Sequence, residues 1–431
     1  MSWKNSYKSK LITLEEGVGH IKSGDHIVVA LGAAEPQGLM SLFNTVGDKV
    51  RDVIVSNCLN VRNYDFITNP AMYGHFTNEG WFYTPTMRAS HVHRTVSFVP
   101  NHLHCAMRKR SGHRRPNIFI GTCTPPDKHG YVSLSLSVTY EREALDEADL
   151  VIVEVNANMP RTFGDTSVHV SQIDLFVENN LPLFELPEVD PSDKDLLIGG
   201  HIAELVEDGS TIQLGFGGIP NAVAQGLLRK KDLGVHTEML TDGMVDLYEA
   251  GVITNQCKSL FAGKMIATFA LGRKKLYDFI DDNPAVAMLR GSYVNDPCVI
   301  GQNSKMVSIN TTLEVDLGGQ CCSESIGHRQ FSGTGGQADT AIGAQLSPGG
   351  KSIIALYSTA KQDAISKIVP TLTPGAVVSL SRNDVDYVVT EYGVAQLRGT
   401  SIRERVKQLI SVAHPKFHAW LQEEAEKMQI W

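Results

Sequence analysis

The chain has 431 residues, 42% hydrophobic and 20% charged, with 47 acids against 39 bases. At about 150 residues per domain this is material for roughly two or three domains with cores of their own. The composition excludes disordered, collagen-like and coiled-coil chains, and a net charge of −8 speaks against a nucleic-acid binder with a broad phosphate footprint.

The first ten residues are polar and carry no apolar stretch, and no window approaches 18 uninterrupted apolar residues. The reading is a cytoplasmic chain with no signal peptide and no membrane span. The seven cysteines (Cys58, Cys105, Cys123, Cys257, Cys298, Cys321 and Cys322) are odd in number, sparse and free of any C-x-x-C, which fits reduced thiols.

In chain order, His20–Pro36 reads as helix end, turn glycine (Gly24), apolar strand and a Gly-rich loop at Gly32. The β-branched run Asp52–Ser56 reads as a buried strand. His91-Val92-His93 and His102-Leu103-His104 put histidines at alternate positions, which on a strand would share a face. No Cys or acid completes a ligand set, so loop or half-buried histidines are the better reading and no metal is assigned. The run Arg108-Lys109-Arg110 with Arg114-Arg115 reads as a solvated helix end. Leu150–Glu154 is another buried strand, and the Pro/Asp-rich stretch Pro187–Lys194 marks a boundary before a helix near Leu196.

The segment Glu204–Pro220 echoes His20–Pro36. Gly209 falls on Gly24 and Gly217 on Gly32, an offset of 185 residues in each case. A repeat of that length is a duplicated domain. The expected fold class is therefore α/β, with two similar open domains and mainly parallel sheets, cut as 1–190 and 191–431. Ligands of such sheets lie at the carboxyl ends of strands, which directs attention to the loops after Leu31 and Leu214.

Gln213–Val223 runs from strand through Gly215-Phe216-Gly217-Gly218-Ile219 into a helix. It is either a cradle for an anion or a tight βα turn; Pro220 rules out a dinucleotide fingerprint. Glu238, in His236-Thr-Glu-Met, falls where the next strand should end. It is a candidate nucleophile or base, although a lone glutamate is more often an ion-paired surface residue. Phe331–Gln337 is a second Gly-rich loop, a carbonyl or phosphate cradle or a turn. Gly349-Gly350-Lys351-Ser352 is not a P-loop, since Gln345 replaces the first glycine and a strand follows. Asp363–Ile368 and Ile402–Val412 read as helices and Ala376–Leu380 as a buried strand.

Taken as an ordered set, these pieces resemble the acetyl-CoA hydrolase/transferase family of class I CoA-transferases. The likeness rests on Gly80-Trp-Phe, Pro125-Pro126-Asp127 with Gly130, Ala148-Asp149 through Asn156, Gly164-Asp165-Thr166 with Val168–Ser171, and the Gly215–Asn221 loop. It continues through His236–Gly243, Gly333–Gln337, Ser381–Gly393 and Ala413-His414-Pro415. It covers nearly the whole chain. It implies that Glu238 is a covalent nucleophile, with the Gly218 and Gly333 amides forming an oxyanion hole and Asn295 orienting the carboxylate. It implies that Gly215, Phe216, Gly217, Gly218, Ile219, Gly333, Asn310 and Lys361 bind coenzyme A, a cosubstrate; no permanently bound cofactor is implied. Where the family more often has histidine after that asparagine, this chain has Asp296, an added negative charge.

The activity so implied is CoA transfer between a short-chain acyl-CoA and a carboxylic acid, 4-hydroxybutyrate or butyrate with acetate, by a ping-pong route. The first half shapes the acyl pocket near Gly32–Pro36, Val61, Trp81 and His104, and the second carries the nucleophile and the CoA loops. A homodimer or larger homo-oligomer is implied. The rivals are another acid pair (propionate, succinate, itaconate), an acyl-CoA hydrolase, a non-catalytic acyl-CoA sensor and, weakest, a nicotinamide dehydrogenase.

Overall fold

The structure is a computed structural model that describes residues 2–430. It divides into two compact units: the chain up to Leu186 together with Ile266–Tyr293, and Pro187–Met265 together with the chain from Val294 onward. This is not the single cut expected near residue 190, because a segment from the second half of the chain belongs to the first unit. Its attachments there are specific. Leu186 N–H donates to Gly272 at 3.0 Å and Gly291 N–H to Thr139 at 3.0 Å, and Gly164 bridges to Met288.

The first unit is built on seven strands, β1 (His26–Val29), β2 (Val53–Asn57), β3 (Phe76–Gly80), β4 (Val96–Phe98), β5 (Ile118–Cys123), β6 (Leu150–Val155) and β7 (Leu175–Glu178). They lie in the order β4-β3-β2-β1-β5-β6-β7, every pair parallel. Apolar residues on both faces of β1 and β5 are buried, as a parallel sheet covered on both sides requires. The aromatic side chains Phe43, Phe66 and Phe76 pack in its core with ring centroids 5.1–5.9 Å apart. The reversal of strand order falls at β1, so the Gly32 loop opens at the switch point.

The second unit repeats the plan with β8 (Thr211–Leu214), β9 (Gly234–Val235), β10 (Met306–Thr311), β11 (Lys351–Ala355), β12 (Tyr387–Thr390) and β13 (Gly393–Gln396), ordered β9-β8-β10-β11-β12-β13. Only the last pair is antiparallel. Helices α1 (Asp193–Leu205), α2 (Gly218–Leu227), α3 (Gln337–Leu346) and α4 (Ile402–Ser411) belong to this unit. The Ser192 hydroxyl and the Asp195 carboxylate form a capping box that starts α1, in the manner of a good N-terminus. Helices α1 and α2 pack closely: a Cβ on Gly199 would collide with the backbone of Ala222. That contact fixes the start of α2, and with it the loop before it.

Three local expectations are corrected. Asp363–Ile368 is not a helix. Lys361, Gln362 and Asp363 have φ of 51°, 56° and 62°, and a hairpin from Thr359–Ala360 to Ile365–Ser366 closes around them. The residues are fair helix formers, but tertiary bonds to Asp363 override the propensity. Ala376–Leu380 is not a buried strand: Val377 and Val378 are exposed, and only Leu380 bridges, to Cys321. Arg110 is not solvated; it is buried and ion-paired with Glu79. At His91–His93 the structure agrees with the favoured loop reading: the three residues form a short 3₁₀ turn.

No helix among the described residues is long and apolar enough to cross a membrane. No group of three or more His, Cys, Asp or Glu side chains is arranged to hold a metal among them.

Candidate active site

In the second unit β8 has β9, its successor in sequence, on one side and β10 on the other. The chain leaving β8 therefore enters a switch-point crevice, and the segment leaving it is Gly215-Phe216-Gly217. Gly217 caps α2 with φ of 115°, a conformation that a side chain would strain. A Cβ on Gly215 or Gly217 would meet open space, so a ligand can approach this backbone. Phe216 is exposed. Gly218 opens α2 and faces the Asp195 carboxylate instead, and Ile219 is buried.

Glu238 lies in the bend between β9 and the short strand Met239–Leu240, one strand over from that loop. Its Oε2 accepts a hydrogen bond of 2.8 Å from Asn295 Nδ2, and the Gly336 amide also donates to the carboxylate. Gly336 is the N-cap of α3, so the acid sits at the positive end of a ten-residue helix. An added Cβ at Gly336 would collide with both Glu238 Oε2 and Asn295 Nδ2. The side chain keeps some access to solvent, yet the surrounding protein dominates its ionisation. Burial pushes its pKa up to about 7, the Asn295 bond opposes that rise, buried Asp339 adds to it and the Gly336 amide opposes it. The carboxyl is thus poised near neutrality, where a nucleophile can be useful.

Asp296 does not act as the feared second charge. Its Oδ1 accepts the Cys298 amide at 2.7 Å and caps the turn Pro297–Ile300. The carboxylate that bears on Glu238 is Asp339, in the first turn of α3.

Asn310 is near the end of β10. Its Nδ2 donates to Ser308 Oγ (2.9 Å), Thr340 Oγ1 (3.0 Å) and, at 3.4 Å, Gln213 Oε1. It is thereby tied to the strand that leads into Gly215. Gly333 is buried in its loop, and the loop residue that touches Glu238 is Gly336 rather than Gly333. Lys361 is exposed in the left-handed turn. The turn is latched through Asp363, whose Oδ1 accepts from Lys194 Nζ at 2.8 Å and from Thr359. Lys194 also reaches Glu391 Oε1 at 3.5 Å. Bonds from Lys194 and Thr359 hold the Asp363 carboxyl down at about 2.

In the first unit, the loop at the β1 switch point carries Glu35, which is buried. It accepts from Tyr64 Oη at 3.1 Å and the Val61 amide at 3.3 Å, and burial pushes its pKa up to about 8. Trp81 is buried edge-on to Tyr140, with centroids 4.6 Å apart.

The sequence missed Gly336, Asp339 and the Lys194–Asp363 latch. Gly336 lay inside a loop already singled out, and the glycine beside the start of an apolar helix was the available signal. Nothing local marks Lys194, which is distant from Asp363 in sequence.

A switch-point glycine loop with a carboxylate on the neighbouring strand sits in a duplicated α/β plan, and sequence comparison gives the family. The profile of the acetyl-CoA hydrolase/transferase N-terminal domain matches residues 1–184 and that of its C-terminal domain residues 272–425. The chain belongs to the acetyl-CoA hydrolase/transferase family. Glu238 lies between the two matched spans. The chain is 44% identical to a succinyl-CoA:cyclohexane-1-carboxylate CoA transferase of Geobacter metallireducens, over 99% of this chain and 97% of that protein. It is 44% identical to a 4-hydroxybutyrate coenzyme A transferase of Clostridium kluyveri, over 99% of this chain and 100% of that protein. The crystal structure of RipA from Yersinia pestis superposes with a TM-score of 0.95 at 37% identity, covering 100% of both chains.

Proposed function

We propose that the protein transfers CoA between a short-chain acyl-CoA and a carboxylic acid, with 4-hydroxybutyrate or butyrate and acetate as the acids. The carrying observation is the Glu238 carboxylate, held by the Asn295 amide at 2.8 Å and poised near pH 7 beside a glycine loop open to ligand. The relatives named as CoA transferases support the reaction class.

In the first step a Glu238 oxygen attacks the thioester carbonyl. The tetrahedral oxyanion is met by backbone amides, for which Gly218 and Gly333 are the candidates. CoA leaves as thiolate and a mixed anhydride of Glu238 remains. The thiolate then attacks the glutamyl carbonyl, the first acid departs as carboxylate, and Glu238 carries CoA as a thioester. A second carboxylate attacks that thioester and the steps run in reverse. The anhydride is about as activated as a thioester, so transfer potential is conserved; a serine ester would dissipate it. The scheme is covalent catalysis with ping-pong kinetics. Gly215–Ile219, Asn310 and Lys361 are assigned to CoA, whose anionic phosphates suit a lysine on a net-acidic protein. A homo-oligomer in the cytoplasm is the working form.

The test is intact mass after mixing with butyryl-CoA in the absence of acceptor. A CoA adduct on the peptide carrying Glu238, discharged by acetate or 4-hydroxybutyrate, is the expected result. Free CoA accumulating with no adduct would replace transfer by hydrolysis, the activity named for relatives at 28–29% identity.

A further inference from the structure

Two buried titratable groups behind the nucleophile are not used by this scheme. His236 follows β9 and is two residues before Glu238; it is 1% exposed. Its Nε2 lies 2.8 Å from the Val294 carbonyl oxygen. A carbonyl can only accept, so Nε2 carries the ring proton. The other nitrogen, Nδ1, is buried with no hydrogen-bond partner among the described residues. Val294 is the residue before Asn295, and Asn295 is the donor to Glu238. The connections therefore close a ring: Glu238, back along the chain to His236, across to Val294, on to Asn295 and back to Glu238.

Lys258 braces the other side. Its Nζ donates to the Val235 and Lys264 carbonyls, both at 2.7 Å, and its stem passes over Gly234, where a Cβ would collide with it. The strand end is thus gripped at Val235 and its successor grips the 294–295 corner. That corner needs a grip. Asn295 is 1% exposed, and its Oδ1 has no hydrogen-bond partner among the described residues. No bond on the far side of the amide restrains it, so its aim is set by where its backbone is held.

We propose that His236 is a positioning residue for the transfer reaction: its imidazole holds the Val294–Asn295 corner in the place from which the Asn295 amide aims Glu238. The inference rests on Glu238 being the nucleophile. The ring acts neutral, since burial and then the charge of Lys258, itself pushed down to about 7 by burial, lower its pKa to about 4. The groups that face Glu238 are Asp339, which raises its pKa, and the Asn295 and Gly336 donors, which lower it. Loss of the Asn295 aim therefore raises the pKa of the nucleophile.

The test compares His236→Gln, whose amide nitrogen reaches as far as Nε2, with His236→Asn, whose amide is too short. Both keep a buried polar group and both are checked for folding by thermal melt. Expected for His236→Asn is a fall in kcat of about 100-fold, the scale of a misplacement of about 1 Å. The KM for acyl-CoA stays within about twofold and the acid limb of the kcat/KM profile moves above pH 7. His236→Gln recovers about tenfold or more of that loss. Equal losses in the two variants, or an unmoved acid limb, overturn the proposal. Glu238→Gln is measured alongside. If it stays active, the nucleophile reading fails; if it is dead while His236→Asn is normal, only the positioning role fails.

Discussion

The Asn295 amide and the Glu238 carboxylate are 57 residues apart in sequence and 2.8 Å apart in space. The bond reaches Glu238 from a turn that follows a long excursion of the chain, and it counteracts the burial that would otherwise keep the acid protonated. Asn295→Ala removes the donor and leaves the space. Its kcat is expected to fall by roughly 100- to 1,000-fold, the range seen for a lost oriented donor at a reacting centre. The apparent pKa of Glu238 rises, and both are read from pH-dependent steady-state kinetics.

The ionisation of Glu238 gives the wild-type profile. In the proposed scheme only the carboxylate attacks, so kcat/KM is expected to climb with pH through about 7 and to level above it. The linkage to stability runs the other way. The folded pKa of about 7 lies above the ordinary 4.5, so the native state holds this proton longer than the unfolded chain. Its contribution to stability is full below about 4.5 and is lost as pH rises to about 7. Glu238→Gln should therefore melt higher than wild type above neutrality, with the gap closing toward pH 4.5.

Gly336→Ala tests the cradle. The new methyl would strike both partners of the Asn295–Glu238 bond, so activity should drop by about 100-fold or more with little change in melting temperature. Gly215→Ala is the control. Its methyl enters open space, and any effect should appear in the KM for acyl-CoA, with kcat nearly kept.

Glu35 makes a separate prediction in the first unit. Its pKa of about 8 is raised chiefly by burial, so ionising it costs stability between about 4.5 and 8. Glu35→Gln is neutral throughout and can still accept from Tyr64 and Val61. The melting temperature of the variant relative to wild type should rise with pH across that window, measured by calorimetry.

Lys361→Met should raise the KM for acyl-CoA by about tenfold and flatten its salt dependence, while leaving the KM for the carboxylic acid unchanged. Loss of kcat with both KM values intact would remove Lys361 from the CoA site.

The duplicated plan was legible because it is written in local chemistry. Gly24 and Gly209 have φ of 81° and 75°, and each precedes a strand buried along its length. Glu238 was legible as a strand-end acid, and only the family likeness raised it above other acids. What failed was what depends on distant partners. Asp363–Ile368 reads as helix until Lys194 and Thr359 claim Asp363. Arg110 reads as solvated until Glu79 pairs with it. Gly336 is marked locally only by its place at the start of an apolar helix; its role is fixed by the distant carboxylate that needs the room.

The placement of Ile266–Tyr293 with the first unit bears on biosynthesis. The ribosome delivers β1 to β7 long before that segment, and it delivers Glu238 in between. The first unit is therefore unfinished while the strand before Glu238 is already outside the tunnel, with the partners of Thr139 and Gly164 still to come. Long-range closure of this kind slows folding and prolongs exposure of an incomplete core. No single truncation point yields either unit whole: stopping at Leu186 omits part of the first, and starting at Pro187 carries along a stretch that has lost its host.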